Sequence, residues 1–138
     1  MLTIGKLASR TDLSTNALRF YEREGLLQPS SKSASGYRLY DDTAVARVRF
    51  IKHAQQCGFT LTEIQELLTL RSRRSSCCTD IRRVAVEKRL QLAAKIRSMT
   101  VMSEALDLLI NDCPDQGLPL EDCPIIGALE HASVKVKA

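Results

Sequence analysis

The amino-acid sequence predicts a mainly α protein in three parts. These are a winged helix-turn-helix head at residues 1–75, a long helix at 76–112, and a cysteine-bearing loop with a short helix and tail at 113–138. Short amphipathic segments separated by turn residues fill the first half, which is typical of a small helical head. Residues 80–111 then contain no Pro or Gly, and apolar side chains recur there at alternating spacings of three and four. That period indicates a helix that presents a seam to a partner helix.

Composition and charge narrow the range of functions. The chain has 138 residues, five cysteines and a net charge of +4. Residues 1–75 hold 12 Lys and Arg against 7 Asp and Glu, whereas residues 76–138 hold 8 against 9. The positive charge therefore lies in the first half, as expected of a segment that meets a polyanion.

No apolar run approaches the roughly 18 residues that a membrane span needs, and no apolar signal segment follows Met1. We therefore expect a soluble, cytoplasmic protein without a membrane partner. In a reducing compartment the cysteines are expected to be ligands, reactive thiols or small core residues rather than disulfides.

The first two predicted helices form a helix-turn-helix. The first covers residues 3–10 with Thr3 as N-cap, and the second runs from Ser14 to about residue 24, where Gly25 ends it. The short break between them is typical of a motif whose second helix enters the DNA major groove. The positions expected on the outer face of that helix are Thr15, Asn16, Arg19 and Arg23, and those expected inside are Ala17, Leu18 and Tyr21.

Residues 27–40 predict a wing. This segment is rich in serine and ends in residues 36–40, a Gly-Tyr-Arg-Leu-Tyr run that is typical of the return strand of a hairpin. Its side chains Lys32, Tyr37 and Arg38 are placed for contacts with phosphates, which position a protein on DNA. Core packing is the alternative for the two tyrosines, and it is the favoured interpretation for Tyr40.

Two further helices complete the predicted head. The third is capped by Asp41 or Asp42 and ends near residue 56, and the fourth starts at Thr60 with a capping box. We expect Cys57 between them to be a small core residue and residues 71–76 to be a polar linker. The charged side chains expected to be solvated on the third helix are Arg47, Arg49 and Lys52.

Six motifs follow one another along the chain: Ile4-Gly5-Lys6-Leu7-Ala8, Leu18-Arg19-Phe20-Tyr21-Glu22-Arg23-Glu24-Gly25-Leu26, Gly36-Tyr37-Arg38-Leu39-Tyr40, Phe50-Ile51, Gly58-Phe59 and Leu61-Thr62-Glu63-Ile64. In this order and spacing they resemble the DNA-binding head of MerR-family transcription regulators. The long helix with its terminal cysteine loop is similar to the metal-sensing branch of that family.

The resemblance implies a homodimer whose winged-helix heads are joined by an antiparallel pair of long helices. Such dimers bind a palindromic operator in a promoter whose spacer is too long. With inducer bound, such dimers bend and untwist the promoter DNA for RNA polymerase. Deforming the DNA in this way costs about 1–6 kcal/mol. Carried over by position, the resemblance places Asn16 and Arg19 on the recognition face, and Tyr21, Lys32, Tyr37 and Arg38 at contacts with the DNA backbone. Thr15, on the same outer face of the helix, is also predicted to bind DNA.

Cys113 and Cys123 flank a loop that holds two prolines and a glycine, which prevent the helix from continuing. The two thiols could therefore converge on one ion; the alternative is two separate buried thiols. Soft thiolates select thiophilic metals. The antiparallel pair implied by the resemblance would bring Cys78 to the other chain's loop as a third thiolate, and metal sensors resembling this one carry Cys at that position for divalent ions and Ser for copper(I), silver or gold.

Three thiolates suit mercury or lead, and a fourth ligand suits zinc or cadmium. Cys77 is open to three interpretations: that fourth ligand, part of a second ion's shell, or a spare thiol. Zinc sensors of the family often carry a second cysteine where this chain has Pro114, and a loop histidine that is absent between Cys113 and Cys123.

The sequence thus predicts a transcriptional regulator that activates metal efflux or detoxification genes on binding zinc, cadmium, lead or mercury. The alternatives are a copper(I) sensor, a thiol-redox sensor on the same fold, or a DNA-bending dimer without a ligand. An enzyme is not expected, because no phosphate-binding loop and no nucleophile–base pair is recognisable.

Overall fold

The computed structural model describes residues 1–131, which form six α-helices, one 3₁₀ turn and one two-stranded hairpin. In chain order these are α1 (Ile4–Thr11), α2 (Thr15–Arg23), β1 (Ser31–Lys32), β2 (Arg38–Leu39), α3 (Asp42–Gln56), α4 (Leu61–Ser72), α5 (Cys78–Asp112), the 3₁₀ turn (Leu120–Asp122) and α6 (Pro124–Glu130). The chain divides into two compact units, Met1–Val84 and the part from Ala85 onward. The division into three parts stays a prediction, and residues 132–138 of its third part lie outside the described residues.

Side-chain caps start the helices of the first unit where the sequence predicts. Thr3 and Ser14 each accept a hydrogen bond from a backbone N–H of the first helical turn, and Asp41 does the same for α3. Thr60 and Glu63 form the predicted capping box, since each side chain bonds to the other residue's backbone N–H. Each cap satisfies N–H groups that have no partner inside the helix.

The end of α2 is equally well defined. Gly25 adopts a left-handed conformation with φ of 76°. Its N–H donates to the carbonyl of Glu22 over 3.1 Å, and the N–H of Leu26 donates to the carbonyl of Tyr21 over 2.9 Å. This pair of bonds is a Schellman motif. It turns the chain so that Leu26 is buried in the core.

Side chains from α1, α2, α3, α4 and the wing share one core. The side chains with the least exposure are Leu7, Leu18, Leu26, Tyr40, Val48, Ile51 and Ile64. Tyr40 is fully buried, which confirms that it packs in the core. Its backbone also pairs with Leu2, through N–H to carbonyl bonds of 2.7 and 2.8 Å, so the segment before α1 is joined to the wing.

The wing itself is small. Ser31 pairs with Leu39 and Lys32 pairs with Arg38 in an antiparallel ladder. Gly36 has a φ of 87°, which a turn between the strands tolerates only because glycine has no Cβ. The structure confirms the predicted hairpin.

Two cations of α3 bind the C-terminal end of α1. Arg49 is nevertheless exposed, as predicted, whereas Lys52 is half-buried, so the prediction that Lys52 is solvated is wrong. Lys52 Nζ donates to the carbonyl of Thr11 over 3.1 Å and approaches that of Asp12 at 3.4 Å. Arg49 Nη2 donates to the carbonyl of Arg10 over 3.2 Å. The last carbonyls of a helix lack intrahelical partners and carry a partial negative charge, so cations stabilise them.

The third cation of α3, Arg47, is not solvated either. Its Nε donates to the carbonyl of Leu26, just after the end of α2. α3 therefore holds both helices of the helix-turn-helix by polar bonds as well as through its apolar face.

Three further expectations need correction. Cys57 is exposed rather than part of the core, because it caps the end of α3 just before Gly58, whose φ is 89°. α4 continues to Ser72, so the linker after it is shorter than predicted. α5 begins at Cys78 rather than at residue 80, because the carboxylate of Asp80 accepts the N–H of Cys77 over 2.8 Å and so supports an earlier start.

α5 is one helix of 35 residues, about 52 Å long at the usual rise per residue. Most predicted seam side chains are exposed in the single chain, for example Met99 at 67%, Met102 at 57% and Leu106 at 55%. Two side chains at seam positions are buried: Leu109, and Lys88, which together with Lys95 interrupts the apolar pattern. The predicted seam is thus an apolar stripe that is largely uncovered.

The contact of Lys52 with α1 can be tested by Lys52→Met, which keeps most of the aliphatic stem and removes the charge. We expect a loss of about 1 kcal/mol in the free energy of unfolding, because carbonyls at the end of α1 lose a charged donor. Urea denaturation would measure it, with Lys6→Met on the exposed face of α1 as the matched control. Equal stability of the two variants would contradict the role of Lys52.

Candidate nucleic-acid interface and thiol loop

A polar groove of about 890 Å³ lies between α2 and the wing. Four cationic side chains and one carboxylate line it, together with Tyr37 at its rim. These charged residues are Arg19, Arg23, Lys32, Arg38 and Glu22. A concave surface with this excess of positive charge attracts a polyanion such as a nucleic-acid backbone.

The predicted recognition face of α2 is accessible. Asn16 and Arg19 are exposed, and Thr15 is half-buried at the first position of the helix. Arg23, one turn beyond Arg19, lies over the ring of Phe20 at 5.9 Å from its centroid. The outer face of α2 therefore offers amide and guanidinium donors, the groups that read base edges in a major groove.

On the wing, Lys32 and Tyr37 are exposed, and the exposed fraction of Tyr37 is 70%. The alternative interpretation, that the two tyrosines pack in the core, is therefore wrong for Tyr37 and confirmed for Tyr40. Lys32 lies directly opposite Arg38 in the hairpin. Phosphate contact by these three wing side chains stays a prediction that their positions allow.

Tyr21 lies mostly inside the core. Its exposed fraction is 4%, and its hydroxyl donates to Gln55 Oε1 of α3 over 2.6 Å. Burial raises the pKa of Tyr21, so the hydroxyl is a neutral donor at neutral pH. Its expected contact with the DNA backbone stays a prediction, and the structure adds a bond that links α2 to α3.

Glu22 makes two side-chain contacts that the sequence interpretation missed. One carboxylate oxygen accepts the hydroxyl of Tyr40, and the other accepts Arg38 Nη1 in an ion pair. Burial, and then the hydrogen bond to Glu22, raise the pKa of Tyr40, which therefore stays protonated and donates. The available sequence signal was the position of Glu22 beside Tyr21, on the inner edge of a helix that otherwise presents cations.

In the second unit, the loop after α5 is shaped by its backbone. Pro114 disfavours helical geometry in the residue before it, and α5 ends at Asp112. Asp115 and Gly117 then adopt left-handed conformations, with φ of 53° and 67°. The chain turns and continues into the 3₁₀ turn and α6, which starts at Pro124 as expected of proline at the first helical position.

The five cysteines are all free thiols. Cys113 follows α5 and Cys123 is the N-cap of α6, and both are half-buried. Cys77 and Cys78 are exposed at the start of α5, where the backbone of Cys77 is the cap. Within residues 1–131 of one chain, no three or more Cys, His, Asp and Glu side chains cluster as a metal site. The thiol chemistry fits a soft metal ion, but one chain does not assemble three ligands among these residues.

His131 follows α6 and is exposed. Among the described helices, none is both long and apolar enough to cross a bilayer.

Residues 2–70 of the chain match the family model for the MerR HTH family regulatory protein, and residues 45–109 match the model for MerR, DNA binding. The chain is 38% identical to the HTH-type transcriptional regulator HmrR of Sinorhizobium medicae, over 91% of this chain and 84% of that protein. It is 30% identical to the HTH-type transcriptional regulator ZntR of Escherichia coli K12, over 100% and 99% of the two chains.

The fold is similar to the crystal structure of the transcription regulator PbrR691 from Ralstonia metallidurans in complex with lead(II). The TM-score is 0.83 with 30% sequence identity, and the match covers 94% of this chain and 99% of that one. The similarity supports the mainly α architecture with its long helix.

The structural role of Tyr21 can be separated from a DNA contact by Tyr21→Phe. We expect a loss of about 1 kcal/mol in the free energy of unfolding, because one partly buried hydrogen bond disappears. Gln55→Ala, which removes the acceptor, is the matched variant. If only the bond to Gln55 matters, both variants lose stability and keep the DNA affinity of the folded protein. A loss of DNA affinity in Tyr21→Phe alone would assign the hydroxyl to DNA.

Proposed function

Since this chain belongs to the MerR family of metal-responsive transcription regulators, we propose that it binds promoter DNA as a homodimer and activates metal efflux or detoxification genes when a thiophilic divalent ion binds. The observation that carries the DNA-binding part is the groove between α2 and the wing, with its four cations beside the exposed recognition face. The family consists of transcription regulators rather than enzymes, so no catalytic step is part of the proposal.

We propose that α2 enters the major groove with Asn16 and Arg19 toward the bases and Thr15 at its start. Lys32, Tyr37 and Arg38 then contact the phosphates. The excess of cations in the groove supports the phosphate contacts. The operator is a palindromic site that the dimer bends and untwists for RNA polymerase, so part of the specificity comes from the deformability of the DNA.

The occupant of the apolar stripe on α5 is a second copy of this chain. Met99, Met102 and Leu106 are more than half exposed in the single chain, and an exposed apolar stripe of this kind is typical of a surface that another helix covers. The regular spacing of the stripe supports a helix of equal length as the partner.

For the metal, we propose Cys113 and Cys123 from one chain and Cys78 from the other, with Cys77 as an additional ligand. The support is the chemistry of the thiols, together with the absence of a three-ligand cluster in the described part of a single chain. Zinc, cadmium, lead and mercury are the candidate ions. Such a protein works in the cytoplasm, where the thiols stay reduced.

Arg19→Ala tests the DNA part. A duplex selected by the wild-type protein from a randomised pool serves as the specific probe. We expect binding to weaken by about 1–3 kcal/mol, because a side chain that reads a base edge is lost. Arg97→Ala, on the exposed surface of α5, is the control for the change of charge. Equal affinity of Arg19→Ala and wild type at fixed salt would remove Arg19 from the interface.

Cys78→Ser tests the metal part. Anaerobically purified protein competes with a chromophoric chelator for zinc, cadmium and lead. We expect the affinity for the metal to fall by about 10–100-fold or more. Losing only a group that hydrogen-bonds to a metal ligand already lowers the affinity by that range. Cys57→Ser is the control, since Cys57 is an exposed thiol outside the proposed site. Unchanged affinity in Cys78→Ser would exclude this thiol from the site.

A further inference from the structure

The carboxylate of Glu22 connects α2 to the wing. Its side chain is only 9% exposed, whereas that of Arg38, with which it forms an ion pair, is 56% exposed. The other carboxylate oxygen accepts the hydroxyl of Tyr40, whose side chain is fully buried. The acidic group is therefore at the bottom of the cationic groove, and the guanidinium that it holds is near the surface.

We propose that Glu22 is a positioning residue for DNA recognition: it fixes Arg38 and the wing relative to the recognition helix, so that the guanidinium is ready for a phosphate when Arg19 reaches the bases. This inference rests on the proposed DNA-binding function and adds to it a residue that is not itself a contact. Without this tie, the wing and α2 would find their relative position only on the DNA.

The size of the wing is the first reason why such a tie matters. β1 and β2 have two residues each, and an isolated two-stranded hairpin is at best marginally stable in water. The hydroxyl of Tyr40 and the guanidinium of Arg38 flank Leu39 on the returning strand, and both bond to the same carboxylate. Glu22 therefore fixes the wing at two points, one on β2 and one just after it.

The chemistry of the guanidinium is the second reason. A guanidinium has five N–H donors in a rigid plane, and Glu22 engages that of Arg38 through Nη1. The carboxylate of Glu22 can therefore orient the guanidinium of Arg38 while its other N–H donors bind a second acceptor on the exposed side. A pre-oriented side chain loses less rotamer entropy when it binds, which strengthens specific binding.

A carboxylate this close to DNA also repels phosphates, so a purely electrostatic role and the positioning role have opposite signs. Glu22→Gln removes the charge and keeps an oxygen that can accept the hydroxyl of Tyr40. If Glu22 positions the wing, specific binding weakens although the groove becomes more positive. If Glu22 only repels DNA, all binding strengthens.

The experiment measures the affinities of full-length wild type, Glu22→Gln, Arg38→Ala and the double variant, at fixed salt. The probes are a duplex selected by the wild-type protein from a randomised pool, and poly(dI–dC) as non-specific DNA. We expect Glu22→Gln to bind the selected duplex about tenfold more weakly, the effect of losing one charge-assisted bond. Binding to poly(dI–dC) is expected to be unchanged or stronger. Glu24→Gln, an exposed carboxylate at the end of the same helix, is the control for charge.

The double variant decides whether Glu22 acts through Arg38. We expect Glu22→Gln to have no further effect on specific binding once Arg38 is alanine. In a double-mutant cycle this result means that the effect of Glu22 depends entirely on Arg38. Full additivity would overturn the proposal. So would stronger binding to both DNAs, or equal weakening on both with a lower Tm, which would mean a loss of folded protein. Failure of the wild type to select any duplex would instead contradict the proposed function itself.

Discussion

Complete burial of Tyr40 is the constraint on which the first unit depends. A buried phenol needs a hydrogen-bond partner, because leaving its hydroxyl unsatisfied costs about 1–3 kcal/mol. Glu22 supplies the acceptor, and a carboxylate that is itself largely buried in turn needs a cation, which is Arg38. The burial of Tyr40 in the core thereby requires a charged side chain, Arg38, at the surface of the wing. The backbone of Tyr40 extends the same constraint to Leu2 and the start of α1.

The cations of α3 act on the other side of the helix-turn-helix. Arg49 and Lys52 bind carbonyls at the end of α1, and Arg47 binds the carbonyl of Leu26 beyond α2. In a part of the chain that is basic overall, these three cations therefore stabilise the fold. The net charge of the first half therefore overstates how many cations remain for a polyanion, and those that line the groove come from α2 and the wing.

Features that depend on neighbouring residues were predictable from the sequence. Caps such as Thr3 and Ser14 act within one helical turn, and Gly25 ends α2 by its own backbone freedom, so these boundaries hold to within a residue or two. The errors about charged side chains concern partners distant in sequence. Lys52 looks solvated until Thr11, 41 residues earlier, is seen beside it, and Glu22 gains its role only when the wing folds back onto α2.

The thiols show the same limit in a stronger form. Their residue type indicates soft-metal chemistry, but which of them share an ion depends on folding. Cys57 was expected in the core and is exposed, because the fate of a residue at a helix C-cap is set by the following turn rather than by its hydrophobicity. For Cys78, Cys113 and Cys123 the proposed partner is on another chain, so the described residues of one chain do not contain the full proposed site.

A metal site built from two chains has a thermodynamic consequence. If the ion binds only where thiolates of both chains meet, its binding free energy adds to that of the dimer, and by linkage the dimer raises the affinity for the ion by the same factor. Under the proposed function a second copy covers the apolar stripe on α5, so the dimer forms without metal and offers its thiolates as a set. The response then requires that metal discriminate between two states of the dimer, because a ligand that binds both equally shifts neither. Under the proposed function, metal sensitivity and DNA distortion therefore both report on one equilibrium between two states of the dimer. α5 takes part in that equilibrium, because it begins at Cys78 and ends one residue before Cys113.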